Sequence, residues 1–171
     1  MMGAGKSSVG ACLRLRTGLA LLDTDEVVAA KFGMSIPKIF VKHGENTFRK
    51  AETEALRSMR GAQQRIIVTG GGIVLRKENV GILKNEAVIV WLDGDEEKLF
   101  ARASRQQNRP LLQTKNPRKT FSQILAARRP LYANISDIRI DTSVLTDEEV
   151  AVAILAKLRR MNFKPKSPIS P

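Results

Sequence analysis

Three short stretches hold the residues whose types and spacing could do chemistry. The first is Gly3-Ala4-Gly5-Lys6-Ser7-Ser8, within MMGAGKSSVG. Glycine, four variable residues and Gly-Lys-Ser/Thr make a loop whose backbone N–H groups cradle phosphates, while the lysine reaches the β- and γ-phosphates and the hydroxyl binds Mg2+. Gly5, Lys6 and Ser7 supply the second half of that pattern, and counting back from Gly5 puts its first glycine one position before Met1. The loop opens a predicted helix, whose N-terminus favours anions; a glycine-rich helix cap is the bland alternative. The second stretch is Asp23-Thr24-Asp25, two carboxylates at i and i+2 where a predicted strand ends, both pointing to one side. Ligands of open α/β sheets bind outside the C-terminal ends of the strands. There one carboxylate can help hold Mg2+ while the other accepts a proton from an attacking hydroxyl. A helix N-cap explains one of these aspartates but not readily both. The third stretch, Gly70-Gly71-Gly72 directly after a buried strand, means that the backbone approaches something closely or adopts positive φ.

Single residues add to these. Arg109 lies in a proline-broken stretch, where a mobile cation could close over phosphates, although a solvated loop charge reads equally well. Arg49 and Arg128 sit on predicted helices beside apolar residues; facing a cleft they would offer bidentate carboxylate recognition, and otherwise they are surface charges. His43, the one histidine, precedes Gly44 and reads as a helix-end residue rather than a catalyst. Cys12, the one cysteine, sits amid Val9, Leu13 and Leu15 and reads as core rather than reactive thiol.

Alternating strands and helices must position these groups. KSSVGACLRLR reads as a helix, GLALLDTD as a short strand, and Glu26 to about Phe32 as a helix. MSIPKIFVKHG holds a short helix with Ser35 as N-cap and Pro37 in its first turn, and ENTFRKAETEALRSMR a separate long helix with Phe48, Ala51, Ala55 and Leu56 on one stripe. RIIV and AVIVWLD are continuous, β-branched strands of the buried parallel kind. A helix over DEEKLFARASR, a long loop over QQNRPLLQTKNPRK, a helix up to about Pro130, a strand in DIRIDT and a helix capped by Thr146 follow. The expected fold is a doubly wound α/β parallel sheet with helices on both faces.

With 171 residues, 43% hydrophobic and 27% charged, the chain is one globular domain with neither a disordered composition nor an apolar run of membrane-spanning length. The net charge of +12 calls for anionic partners or a solvated basic surface. Aromatics at 5% and no basic run interleaved with stacking residues argue against nucleic acid.

The ordered set GAGKS, LLDTD, GMSIPKIF, GENTFRKAE, TGGG, NRPLL, RRPLY and DIRIDT, over about residues 1–158, closely resembles the shikimate kinase family. Each motif alone is weak and the ordered set is specific; adenylate kinases share the loop without DTD, FR and GGG at these spacings. The resemblance implies a P-loop kinase fold that transfers the γ-phosphate of MgATP to the 3-hydroxyl of shikimate, a step toward aromatic amino acids. It places Gly3, Ala4, Gly5, Lys6, Ser7 and Ser8 about the nucleotide, with Ser7 and Asp23 on Mg2+, Asp23 through water. Asp25 would orient and deprotonate the hydroxyl, with Lys6 and Arg109 as its catalytic partners. Arg49 and Arg128 would grip the carboxylate, and Gly70, Gly71 and Gly72 would make backbone contacts. In RRPLY the family arginine stands two before the proline, which selects Arg128 over Arg129. Arg109 would be the lid arginine on ATP and Arg102 would stack near adenine. The implied organisation is a single domain over 1–163 with a lid at about 106–118 and substrate-binding helices at about 34–60, then a disordered tail at 164–171. A cytoplasmic monomer with ATP and shikimate as partners, and with neither nucleic acid nor membrane, completes the expectation.

The sequence departs from the family at its start, where the family has an apolar strand and the first loop glycine. The expectation is that Met1 is a misassigned or truncated start and that the first strand is missing from this chain. At roughly 25 cal/mol per Å2 of apolar area, losing a central strand costs several kcal/mol. Three competing readings are a related small-molecule kinase such as a gluconate kinase, an impaired kinase-like module that binds nucleotide, and a basic nucleic-acid-binding protein with steep salt dependence.

Overall fold

The structure, a computed structural model, describes residues 1–59, 61, 63–105 and 109–162. Its strands are β1 (Ala20–Asp23), β2 (Arg65–Val68), β3 (Val90–Asp93) and β4 (Ile138–Asp141). The helices are α1 (Lys6–Thr17), α2 (Thr24–Phe32), α3 (Ile36–Ser58), α4 (Lys77–Glu86), α5 (Glu96–Ser104), α6 (Pro117–Ile135) and α7 (Asp147–Arg160), with 3-10 turns at Ile73–Leu75 and Pro110–Leu112. The α/β alternation and the parallel pairing are as the sequence implies.

The strands pair two by two rather than as one sheet. β1 runs parallel to β2, Ala20 opposite Arg65 through Asp23 opposite Val68, and β3 runs parallel to β4, Val90 opposite Ile138 through Asp93 opposite Asp141. β2 and β3 line a common cleft of about 660 Å3 whose walls include Val9, Leu13, Val68, Leu92, Ile82 and Ile154. Helix α1 packs on both β2 and α7, and so bridges the two halves.

Local chemistry explains most element ends. α7 starts at a capping box in which Thr146 and Glu149 satisfy each other's backbone N–H groups; three acidic residues occupy its first turn and three basic ones its last. Asp95 caps α5 by accepting from the Lys98 N–H at 3.1 Å. The two helices expected on either side of Gly44 are both present and meet at it: α3 is broken there (φ 78°, ψ 163°), a conformation that glycine adopts without strain. Two elements differ from expectation. α6 begins at Pro117, inside the expected loop, and continues past Pro130 to Ile135. An interior proline costs about 3 kcal/mol. Here buried Phe121 and Leu125 before it and Tyr132 and Ile135 after it keep the helix on the core. α4 carried no sequence signal, because Gly81 weakens its propensity; it is fixed by buried Asn79, which donates to the Ile73 carbonyl, and by Leu83.

The main core surrounds β3, β4, α5, α6 and α7, with Leu99, Phe121 and Val150 fully buried. A second, smaller cluster of Val28, Ile39, Phe48, Ala51 and Ala55 joins α2 to α3. No helix among the described residues is long and apolar enough to cross a membrane. The expected tail at 164–171 and lid residues 106–108 lie outside the described residues.

Candidate active site

The loop before α1 turns on Gly3 (φ 73°) and Gly5 (φ 75°), both left-handed. A Cβ on Gly3 would lie 2.1 Å from the Leu99 carbonyl oxygen, and one on Gly5 2.8 Å from Asp147 Oδ1, so the loop closes tightly at both glycines. No side chain caps α1, and Ser7 and Ser8 are exposed in its first turn. Amide groups of that kind bind anions. Lys6 Nζ donates to the Met1 carbonyl at 2.7 Å. Burial first, then Arg109, push the Lys6 ammonium down to about 8, against the pull of Asp25 and Asp23.

Asp23 and Asp25 do not share a strand face as expected. Asp23 ends β1 and caps α2, its Oδ1 accepting the Asp25 N–H at 2.8 Å, so Asp25 belongs to the first turn of the helix. The cap itself holds the pair together. Burial, then the Asp23 charge, raise the Asp25 carboxyl above its usual range, opposed by Lys6, Arg109 and Arg49. Its Oδ1 is buried and has no hydrogen-bond partner.

The three glycines after β2 sit where side chains cannot. A Cβ on Gly70 would lie 2.6 Å from Glu52 Oε1 and 2.9 Å from Asp25 Oδ1. One on Gly71 would meet Tyr132 Oη at 3.3 Å, and one on Gly72 would lie 2.2 to 2.4 Å from the Arg49 guanidinium. None of the three has a positive φ, so close approach, not turn geometry, is their reason. The Gly70 N–H donates to Thr24 Oγ1 at 3.2 Å, and Tyr132 Oη–H donates to the Gly71 carbonyl at 2.5 Å.

Arg49 and Arg128 are 8% and 6% exposed, which removes the surface-charge reading for both. Arg49 Nη1 donates to Glu52 Oε2 at 2.9 Å, while Nη2 and Nε both donate to Glu45 Oε1, at 2.9 and 3.2 Å. Arg128 lies near Tyr132, whose hydroxyl is pushed up by burial and partly pulled back by the charge of that arginine. Arg129 turns elsewhere, donating to the Gly94 carbonyl at 2.7 Å and pairing with Asp93. Arg109 is close enough to Asp25 and Lys6 to shift both. Arg102 stands apart, its guanidinium donating to Thr142 Oγ1 at 3.2 Å and to the Thr142 carbonyl at 2.8 Å.

Lys6, Asp23, Asp25, Arg49, Arg109 and Arg128 therefore share one electrostatic neighbourhood beside the three glycines. Lys6 and Arg109 suit phosphates, Arg49 and Arg128 suit a carboxylate, and Asp25, its carboxyl raised by burial, lies within range of Lys6, Arg109 and Arg49. Sequence reasoning did not single out Glu45, Glu52, Thr24 and Tyr132. The two glutamates were detectable, since positions −4 and +3 from Arg49 share its helix face. Cys12 is half-buried beside Glu148, and Leu15 is 87% exposed, so the expected core setting does not hold there. The His43 ring packs on Phe32, with centroids 5.2 Å apart.

Comparison with known proteins agrees with this geometry. A sequence model described as shikimate kinase matches residues 2–159. The chain is 42% identical over 161 residues to a shikimate kinase of Thermodesulfovibrio yellowstonii, covering 94% of this chain and 92% of that protein. It is similar to the solved shikimate kinase of Acinetobacter baumannii in complex with shikimate (TM-score 0.90, 35% identity, 95% and 91% of the two chains). That of Aquifex aeolicus is also similar (TM-score 0.83, 33% identity, 95% and 94%). A gluconokinase of Sinorhizobium meliloti shares the fold alone, at TM-score 0.61 and 17% identity over 93% of this chain and 87% of that one.

Proposed function

The chain belongs to the shikimate kinase family, and from that premise we propose that it transfers the γ-phosphoryl group of ATP to the 3-hydroxyl of shikimate, with Mg2+ as cofactor. The observation that carries the reading is the pairing of two buried arginines, Arg49 and Arg128, with a raised-pKa Asp25 beside a phosphate-binding loop. Two buried arginines are suited to gripping an acceptor that carries a carboxylate.

In this reading the amides of Gly3, Ala4, Gly5, Lys6, Ser7 and Ser8 wrap the β- and γ-phosphates. Lys6 and Arg109 balance the charge that spreads over the transferring oxygens, and Arg102, held by Thr142, flanks the adenine side. Arg49 and Arg128 fix the acceptor's carboxylate while the backbone of Gly70, Gly71 and Gly72 lies along its ring. Asp25 accepts the hydroxyl proton as the hydroxyl oxygen bonds to the γ-phosphorus and the bond to the ADP oxygen breaks. Desolvation has moved Asp25 toward the pH at which a base is both ionised and effective. The donor set fits Mg2+: an exposed Ser7 hydroxyl beside Lys6 and the Asp23 carboxylate supply hard oxygens, no cluster of three acidic or imidazole ligands exists among the described residues, and Mg2+ takes few protein ligands beside waters and phosphates. Ser7 and Asp23 would hold the ion, which would supply positive charge against the phosphate oxygens.

We also assign one kinase unit to residues 1–163, acting as a cytoplasmic monomer, with a lid at about 106–118 and acceptor-binding helices at about 34–60. The test is a panel of acceptors, shikimate, its methyl ester and gluconate, with the phosphorylated product identified by phosphorus NMR. Phosphorylation of shikimate alone supports the assignment; equal use of the ester or of gluconate overturns it.

A further inference from the structure

The guanidinium of Arg49 is enclosed on three sides. Nη1 is held by Glu52, whose side chain is fully buried. Gly72 presses on the Nη1–Nη2 end, where a Cβ would come within 2.2 to 2.4 Å of Nη1, Cζ and Nη2. The remaining edge, Nε and Nη2, presents two parallel N–H groups and is the edge on which a carboxylate docks with both oxygens. Glu45 sits on it, but with one oxygen only: Oε1 accepts from both Nε (3.2 Å) and Nη2 (2.9 Å).

The two glutamates differ in how firmly they are held. Glu52 lies inside α3 with no exposed side-chain surface, whereas the Glu45 side chain is 49% exposed. Glu45 also follows Gly44, the kink of α3, around which no atom lies within 4 Å of where a Cβ would stand. A half-exposed carboxylate next to an uncrowded glycine hinge can swing away at little cost, and a buried one cannot.

Resting on the shikimate kinase reading, we propose that Glu45 is a built-in stand-in for the acceptor's carboxylate: it occupies the docking edge of Arg49 in the empty site and is displaced when substrate binds. Glu52 stays in place and keeps the guanidinium aimed. The incoming carboxylate uses two oxygens where Glu45 used one, and it also meets Arg128, so the exchange runs toward substrate. Glu45 thereby keeps the arginine paired in the empty site and raises the threshold for weaker carboxylates, which makes it a specificity-determining residue rather than a catalytic one.

The experiment is calorimetric titration of shikimate into the full chain and into Glu45→Gln, Glu45→Ala and Glu54→Gln, with steady-state kinetics on each. Glu54 is an exposed glutamate paired with Lys31 and controls for the loss of one negative charge. Removing a competing half-exposed ion pair should tighten shikimate binding about two- to fivefold. The shikimate KM should fall in step, with kcat and the ATP KM unchanged and Glu54→Gln matching the parent. Weaker binding in both Glu45 variants would show that Glu45 holds Arg49 in its working position, and would overturn the proposal. Equal tightening in Glu54→Gln would overturn it as well, since bulk charge then accounts for the effect. If the folded parent binds no shikimate, the kinase reading itself fails; binding by the parent with no tightening in the Glu45 variants defeats this proposal alone.

Discussion

Gly72→Ala is the sharpest perturbation of the acceptor side of the site. The added Cβ would stand 2.2, 2.3 and 2.4 Å from Nη1, Cζ and Nη2 of Arg49. Ordinary contact requires about 3.5 Å, so the guanidinium or the glycine loop must recede by about 1 Å. The guanidinium is poorly able to yield, because buried Glu52 holds Nη1 at 2.9 Å. A misplacement of about 1 Å at a positioning group costs on the order of 10²-fold in rate. That loss should fall on kcat/KM for shikimate and leave the ATP KM within about twofold of the parent. Overpacking adds a stability cost of roughly 1–3 kcal/mol, read by thermal melting. Gly81→Ala is the matched control: Gly81 is an exposed residue inside α4 with open space where its Cβ would go, and the change should stabilise by about 0.8–1 kcal/mol with unchanged kinetics. Shikimate kcat/KM within twofold of the parent in Gly72→Ala would refute the geometry, as would a parallel rise in the ATP KM.

Two further outcomes follow from the site's charges. Lys6 is cationic below about 8, so ADP titrated without divalent cation should bind more weakly as pH rises from 7 to 9; a flat profile would contradict the buried setting of the ammonium. Asp25 has a raised carboxyl pKa, so its contribution to stability is complete below the usual carboxylate range and is lost as pH rises through the raised value. Asp25→Asn should therefore melt higher than the parent at neutral pH, with the gain disappearing in acid, while turnover falls by roughly 10²–10⁴-fold. A lower melting temperature at neutral pH would show that the aspartate is held by its cations more than it is penalised by burial.

The strands, most of the helices and the grouping of the site were legible because local chemistry specified them. Val, Ile and Leu runs gave the strands, Thr146 gave the start of α7, and the triple glycine gave the close approach that Glu52, Tyr132 and Arg49 now explain. What stayed hidden depended on tertiary contact. α6 runs through Pro130 because buried side chains on both sides outweigh the local break, and α4 forms despite Gly81 because Asn79 and Leu83 reach the core. Asp23 ends β1 as expected and also caps α2, and a strand that turns directly into a helix puts the two aspartates in different elements.

The most direct measurement of the central claim is ADP release from MgATP by the purified chain, with and without shikimate, beside Asp25→Asn. The account predicts release that depends on shikimate in the parent and falls by at least about 10²-fold in the variant. Release that is indifferent to shikimate, or equal in the two proteins, would contradict it.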